Sequence, residues 1–248
     1  MAKEQAAARH RNSGGGPARR ASDRGHYGRL SRERVLAAAL ELVDREGLST
    51  LSMRRLGAEL GVESMALYRY AASKDALLDG LVEALYLELE ERLAAEPESS
   101  RTAQAPAWRT RLHRVARTMY DVCLAHPQAV PLLATRMLAV PLARRPAAVL
   151  ADHERVLALL MEAGFDAATA SAVFRAFTAW LLGYVSVELQ PMVDNPDEPD
   201  PGFRLGLHRL SAQELPTLRE TAASLAEQGG PDGLAAGLDA LLDRFARE

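Results

Sequence analysis

The stretch from Leu48 to Leu81 reads LSTLSMRRLGAELGVESMALYRYAASKDALLDGL. It contains two short helical patterns separated by the break Leu60-Gly61-Val62, and a longer amphipathic helix is predicted to begin at Ser73-Lys74-Asp75. A helix, a short turn that contains glycine and a second helix are typical of a helix-turn-helix, whose second helix can enter the DNA major groove. The stretch therefore predicts a DNA-binding unit.

The two short helices are predicted to be amphipathic. Their apolar residues are spaced so that both helices can pack on a third, namely Leu51, Leu56, Leu60, Val62 and Leu67. The outward residues of the second helix are small at its start and aromatic or basic towards its end: Ser64, Met65, Ala66, Tyr68, Arg69 and Tyr70. Because small residues allow close approach to base edges and the others can reach phosphates, we predict that this face contacts DNA.

The segment from about Ser31 to Leu85 closely resembles the N-terminal domain of TetR-type (TetR/AcrR) transcriptional repressors. Five motifs carry the resemblance: a helix ending near Arg45-Glu46-Gly47, then Leu51-Ser52-Met53-Arg54-Arg55-Leu56, Leu60-Gly61-Val62, Leu67-Tyr68-x-Tyr70 and Ser73-Lys74-Asp75-x-Leu77-Leu78. Their combined spacing is more specific than a lone helix-turn-helix. This chain has Tyr70 where the family often has histidine, and a phenol can still donate a hydrogen bond to a phosphate.

The resemblance implies roles for single residues. Arg54 falls at a base-contacting position of the first motif helix. The other candidate DNA contacts begin the recognition helix, lie on its outward face or match phosphate-contacting positions: Ser64, Met65, Ala66, Tyr68, Arg69, Tyr70 and Lys74. The resemblance also implies a homodimer that binds double-stranded operator DNA and is released by a small-molecule effector.

Charge is divided unevenly along the chain. The net charge is −3, yet residues 1–75 carry 14 Lys and Arg against 9 Asp and Glu, whereas residues 76–248 carry 16 against 24. A basic N-terminal part on an acidic body directs one end of the protein towards DNA. Lys74, which follows the predicted N-cap Ser73, is interpreted as a phosphate contact; the alternative is a solvated surface lysine.

Three regions are predicted. Residues 1–28 are expected to be a disordered basic arm, either a flexible tail or a segment that adds phosphate or minor-groove contacts. Residues 29–75 form the helix-turn-helix domain, and residues 76–248 form a helical domain for effector binding and dimerisation. Because the periodicity beyond Leu85 stays helical, we expect an all-α fold, with helices over 74–94, 107–125, a short segment ending at 138, 146–163, 166–189, 215–228 and 232–247, and a loop over 191–206.

The helical domain is expected to dimerise and to bind a ligand. The helix from Asp166 to Leu189 and the last helix look too apolar for a monomer surface, and in the resembled family the equivalent helices form a four-helix interface; monomer core is the alternative. If the helices close around a cavity as in that family, its lining is mainly apolar and suits a hydrophobic ligand, although core packing also explains these residues: Met119, Cys123, Met137, His153, Met161, Phe174, Phe177 and Thr178.

Catalytic and metal-binding motifs are lacking in the sequence. No His-x-x-x-His, Cys-x-x-Cys or Gly-x-Ser-x-Gly pattern occurs, Cys123 is the single cysteine, and the pair His153-Glu154 is interpreted as solvated on a helix surface. We expect neither catalysis nor a cofactor. The N-terminus lacks a signal-peptide pattern and no apolar run is long enough for a membrane helix, so a cytoplasmic protein without a membrane partner is predicted.

These observations favour a dimeric repressor that a small hydrophobic ligand releases from DNA. Two alternatives also fit the sequence. One is a constitutive or architectural DNA-binding protein without an effector, whose body serves only to dimerise. The other is an enzyme or scaffold that uses the same fold.

Overall fold

The computed structural model describes residues 30–95, 106–195, 197–227 and 229–245, and within these ranges it contains helices and no strands. The all-α prediction is confirmed, while the predicted basic arm at 1–28 lies outside the described residues. The α-helices are α1 Arg32–Glu46, α2 Met53–Leu60, α3 Ser64–Leu67, α4 Lys74–Ala95, α5 Ala107–Ala125, α6 Val130–Ala139, α7 Ala147–Glu162, α8 Ala167–Asp194, α9 Pro201–Arg204, α10 Pro216–Glu220, α11 Ala222–Ala226 and α12 Gly230–Asp243.

Local capping sets the ends of the N-terminal helices. The hydroxyl oxygens of Ser31 and Ser52 accept hydrogen bonds from backbone N–H groups in the first turns of α1 and α2, at 3.2 and 3.1 Å. Ser73 caps α4 in the same way, accepting from the N–H of Ala76 at 3.0 Å. Helix α2 ends at Gly61, whose φ of +66° lies in the left-handed region that glycine adopts without strain.

Glycine also permits two close approaches between helices. A Cβ atom on Gly57 would lie 2.8 Å from the carbonyl oxygen of Val62, so the turn between α2 and α3 passes directly over this position. A Cβ atom on Gly80 would lie 2.5 Å from Leu36, where α4 packs on α1. The helix-turn-helix is therefore held by backbone proximity as well as by its buried leucines.

Helix α4 runs from the N-terminal helices into the bundle. Its buried stripe consists of Leu77, Leu81, Leu85 and Leu89, each no more than 1% exposed. It packs against α1 at one end and against α5, α6 and α7 over the rest of its length. A displacement of the bundle at α4 can thus reach the N-terminal helices without crossing a flexible linker.

The C-terminal part differs from the prediction in three places. Helix α8 continues through Pro191 to Asp194 instead of ending before a loop, because a proline near the end of a helix removes only one backbone donor. The predicted loop contains α9, which Asp200 caps. The helix predicted over 215–228 divides at Thr221 into α10 and α11.

The recognition helix is also shorter than predicted. It ends at Leu67, and Tyr68 to Tyr70 form a turn in which the N–H of Tyr70 donates to the carbonyl oxygen of Leu67 at 2.8 Å.

Helix α8 is the one described helix that is long and apolar enough to cross a membrane by length and composition alone. It lies within the bundle, where it packs against α5, α6, α7 and α12. Phe177, Leu181 and Val185 are buried there, which accounts for part of its apolar character. Trp180 and Tyr184 pack on α12, and the Tyr184 hydroxyl donates to the carbonyl oxygen of Gly230 at 2.6 Å.

Candidate DNA-binding surface and interior cavity

The helix-turn-helix exposes most of the side chains expected to contact DNA. Met65 is 73% and Tyr68 44% exposed, and Arg69 is exposed at the end of the same motif. Arg54 on α2 and Lys74 at the start of α4 are exposed as well, while Ser64, Ala66 and Tyr70 are half-buried. Leu67, by contrast, is completely buried. The motif therefore exposes basic and aromatic side chains, while its buried leucines pack its helices together.

The two adjacent arginines of α2 have different environments. Arg55 is half-buried; its Nε donates to Glu46 at 3.0 Å, and its guanidinium lies 3.0 Å from Glu59. The hydrogen bond from Arg55 lowers the pKa of the Glu46 carboxyl. Arg45 joins this group through Glu59 at 3.0 Å. Because these ion pairs tie α1 to α2, Arg55 positions the motif, whereas the exposed Arg54 has its side chain directed to solvent.

A histidine joins the N-terminal helices to the bundle. His126 follows α5, and its Nδ1 lies 2.7 Å from Asp44 of α1 while its Nε2 lies 2.8 Å from Glu88 of α4. The hydrogen bond with Asp44, followed in size by the other interactions with Asp44 and Glu88, raises the pKa of His126 against the opposing effect of burial. A protonated imidazole can donate to both carboxylates at once. Sequence reasoning missed this contact because its residues are far apart in the chain.

Arg136 makes a second connection beside Lys74. Its Nε donates to Asp79 at 2.7 Å and its Nη1 lies 3.1 Å from Asp75, so α6 is bound to the first turns of α4. The same turns carry Lys74, the candidate phosphate contact. The position of the N-terminal end of α4 therefore depends on α6 within the bundle.

A small cavity of about 20 Å³ lies inside the bundle. It brings together five of the eight residues predicted to bind a ligand: Met119, His153, Phe174, Phe177 and Thr178. Its walls also include residues that the prediction missed, namely Tyr86, Val115, Asp152, Val156, Leu181 and Leu182. Helical spacing could have indicated some of these residues, since Asp152 precedes His153 on α7 and Val156 follows it by three residues, close to one helical turn.

Three predicted ligand contacts do not line this cavity. Cys123 is buried in packing on α5, and burial raises the pKa of its thiol to about 12. Met137 is buried on α6. Met161 is 49% exposed, because it follows the buried Leu160 by one residue and one residue rotates a helical side chain by about 100°. The expectation that Met161 faces the interior is therefore wrong.

His153 is buried instead of solvated, which corrects its interpretation as a surface residue. It continues the inward stripe of Val149, Val156 and Leu160, and only 5% of it is exposed. Burial, followed by the charge of Arg145, lowers the pKa of His153 to about 4, so its imidazole is neutral at physiological pH. Burial likewise raises the pKa of Asp152 to about 6.

A larger groove of about 450 Å³ opens beside the cavity between α4, α5 and α7. Arginines and glutamates lie on its walls together with apolar residues: Glu90, Leu93, Ala94, Arg111, Arg114, Val115, Arg155, Val156, Ala158, Leu159 and Glu162. Arg155 forms an ion pair with Glu90 across it. Val115 and Val156 line both the groove and the cavity, so the two spaces adjoin at these side chains. Across the described ranges no cluster of three or more His, Cys, Asp or Glu residues could hold a metal ion.

Comparisons with known proteins agree with this architecture. Residues 35–81 match the family described as bacterial regulatory proteins, tetR family, and residues 102–245 match the tetracyclin repressor-like C-terminal domain. An HTH-type transcriptional regulator of Saccharopolyspora erythraea is 35% identical over 64% of this chain, and the match spans 61% of that relative's own length.

Two solved structures are similar over nearly their whole length. The Streptomyces coelicolor protein ActR in complex with actinorhodin has a TM-score of 0.66 and 25% identity, covering 89% of this chain and 98% of ActR. BioQ with its double-stranded DNA operator has a TM-score of 0.51 and 25% identity, covering 84% and 99% of the two chains. With both its N-terminal and C-terminal parts matched, this chain belongs to the tetR family of bacterial regulatory proteins.

Proposed function

We propose that the protein is a homodimeric transcriptional repressor that binds operator DNA through residues 29–75 and is released by a small molecule bound within residues 76–248. The observation that carries the DNA-binding part is the exposure of Arg54, Tyr68, Arg69 and Lys74 around a motif whose leucines are buried. The likeness to BioQ, solved with its operator, supports the same assignment.

The proposal assigns different roles to Arg54 and Lys74, which binding experiments can separate. Arg54→Ala should cost ~1–3 kcal/mol of operator affinity and relax specificity at one base pair, because it removes a base contact. Lys74→Ala should weaken all sequences alike and make the salt dependence shallower by a slope of ~1, because it removes a phosphate contact. Fluorescence anisotropy with fragments of the gene's own upstream region, at several salt concentrations, measures both. An altered sequence preference with an unchanged salt slope in Lys74→Ala would contradict its role.

Dimerisation is supported by the outer face of α8. Ala179, Gly183 and Val187 recur every four residues, all three are exposed, and Val187 is 76% exposed. A Cβ atom on Gly183 would meet no atom within 4 Å. Small side chains on an apolar exposed helix allow close packing against the same helix of a second copy. A dimer also presents two recognition helices about 34 Å apart, as successive major grooves require.

The cavity supports the effector part of the proposal. It lies between α4, α5, α7 and α8, and α4 extends from there to Lys74. A ligand that favours a different position of α4 changes the spacing of the two DNA-binding units. A coupling of ~1–3 kcal/mol, or 5–150-fold in operator affinity, is ordinary for such a mechanism. ActR, which is similar over most of the chain, was solved with actinorhodin.

The volume of the cavity favours one alternative. About 20 Å³ accommodates a single water molecule, whereas pockets for drug-sized ligands measure roughly 300–1,000 Å³. A regulator without an effector would have such a filled core. A screen of aromatic metabolites for loss of operator binding, repeated with Phe177→Ala, distinguishes the two. A compound whose effect is weakened in Phe177→Ala supports an effector bound in this cavity. A compound with an undiminished effect on that variant would bind at another site. A broad screen without any active compound would favour the regulator without an effector.

A further inference from the structure

His153 has a chemical environment that packing does not explain. Only 5% of its surface is exposed, and neither ring nitrogen has a hydrogen-bond partner among the described residues. A neutral imidazole presents one donor and one acceptor, and leaving such groups unpaired in a core is costly. Asp152, next to it, has one carboxylate oxygen without a hydrogen bond, 3.7 Å from Arg155. This end of the cavity therefore offers hydrogen bonds that the protein itself does not use.

The surroundings of His153 are aromatic. The ring of Phe174 on α8 packs edge-on against the imidazole, with 5.0 Å between the ring centroids. The ring of Tyr86 on α4 also packs edge-on against it, at 6.5 Å. Phe177 and the half-buried Thr178 complete this end of the cavity. Because Tyr86, Phe174 and Phe177 line the cavity, and aromatic edges and faces attract each other, this lining favours a flat ring as the occupant. Metal binding is a poor match, since the described residues supply no third ligand near His153 and Asp152.

The groove supplies the room that the cavity lacks. Its volume of about 450 Å³ lies within the range of ligand pockets, and it adjoins the cavity at Val115 and Val156, which line both spaces. Both valines are buried, Val115 on α5 and Val156 on α7, so a separation of these two helices would join the two spaces. A ligand that enters along the groove meets His153 at its inner end.

We propose that the effector is an aromatic molecule with a phenolic hydroxyl group, which enters through the groove and exchanges a hydrogen bond with His153. This inference rests on the proposed effector cavity and specifies the chemistry of its ligand. The hydroxyl group matches either the donor or the acceptor of the neutral imidazole, while the rings lie among Phe174, Phe177 and Tyr86. The rest of the molecule occupies the groove between α4, α5 and α7.

Two probes of equal shape test this inference. 4-Hydroxybiphenyl and 4-methylbiphenyl differ in one hydroxyl group against one methyl group, and titration calorimetry with the full-length protein gives both dissociation constants. The wild type should bind the phenol about 5- to 150-fold more tightly, the factor that corresponds to leaving one buried polar group unpaired. His153→Phe should lose this preference while it still binds the methyl compound. His208→Phe, at an exposed histidine far along the chain, is the matched control and should retain the preference.

Stability provides a second measurement on the same variants. His153→Phe removes two unpaired polar atoms from the core, so its melting temperature should equal or exceed that of the wild type. Equal affinity of the wild type for both probes, a phenol preference that persists in His153→Phe, or binding of neither probe would each overturn the inference. Operator release is recorded separately: probe binding that depends on His153 but leaves the operator complex intact contradicts the proposed effector function and not the site.

The route through the groove has its own test. Ala158 lines the groove and not the cavity, so Ala158→Trp should obstruct entry and lower the association rate of 4-hydroxybiphenyl in stopped-flow fluorescence. Ala151→Trp adds the same side chain at an exposed position of α7 outside both spaces and should leave the rate unchanged. An unchanged rate in Ala158→Trp would show that the ligand enters elsewhere.

Discussion

At the scale of single residues, side chains of the same type have different environments and different roles. Arg54 and Arg55 are adjacent and chemically identical, yet Arg55 is held by Glu46 and Glu59 while Arg54 is exposed. His126 bridges α1 and α4 through two carboxylates, whereas His153 has no hydrogen-bond partner among the described residues. The position of each side chain on its helix, more than its type, decides what it does.

The two arginines can be separated by stability. Arg55→Ala should lower the melting temperature, because it releases the carboxylates of Glu46 and Glu59 from their shared partner and loosens α2 on α1. Arg54→Ala should leave the melting temperature unchanged while it weakens operator binding. Thermal unfolding followed by circular dichroism measures the difference; equal melting temperatures for the two variants would contradict the structural role of Arg55.

His126 should make stability depend on pH. The pKa of His126 is raised in the folded protein. Its contribution to the free energy of unfolding is therefore fully present below pH 6.5, the ordinary histidine pKa, and is lost as the pH rises through the folded pKa. His126→Gln should therefore lower the free energy of unfolding most at low pH, by about 1.5–3 kcal/mol as for hydrogen bonds to charged groups, and less at high pH. Urea unfolding of both proteins at pH values on either side of 6.5 measures the difference, in which titrating groups that do not contact His126 cancel. A difference that does not vary with pH would remove His126 as the cause.

At the scale of helices, the angle between α2 and α3 depends on the absence of a side chain. The backbone of the turn lies so close to Gly57 that a methyl group would meet the carbonyl oxygen of Val62 at 2.8 Å, and backbone cannot move aside as a flexible side chain can. Helix α4 has the complementary role, since it is packed on α1 at one end and on the bundle along the rest.

Gly57→Ala should therefore destabilise the protein in spite of the higher helix propensity of alanine. Displacing the turn should cost more than the ~1 kcal/mol that alanine gains over glycine within a helix. Ala58→Ser also adds one heavy atom, but at an exposed position of the same helix, and should change the free energy of unfolding by no more than about 0.5 kcal/mol. Chemical denaturation measures both; a stabilised Gly57→Ala variant would show that the turn can yield.

At the scale of the whole molecule, the proposed dimer uses the outer face of α8. The inner face of this helix packs in the core. On a second face, Trp180 packs against Gly237 of α12 and Tyr184 packs against Gly233. The exposed line along the middle of the helix consists of Arg175, Ala179, Gly183 and Val187, of which the last three are apolar or lack a side chain. One helix thus serves the core, α12 and the proposed partner through three different faces.

Val187→Glu should dissociate the dimer without unfolding the monomer. The side chain is 76% exposed within one chain, so a carboxylate there stays solvated in a monomer but would be buried and unpaired in a dimer. Sedimentation velocity should show a monomer, and operator affinity should fall. Leu142→Glu places the same charge at another exposed apolar residue, away from α8, and should leave the dimer intact. An intact Val187→Glu dimer would place the interface on a different surface.

The sequence by itself determined the all-α fold, the helix-turn-helix and most helix ends, because these depend on local signals: the serine caps, Gly61, and the leucines repeated at helical spacing. Five of the eight predicted ligand contacts, among them Met119 and Phe177, meet at one cavity for the same reason. Only the tertiary structure decided that Met161 faces solvent, that His153 faces the core and that Arg55 is paired where Arg54 is not. Spacing along a helix specifies which residues share a face, but which face is buried depends on helices distant in the chain that pack against it.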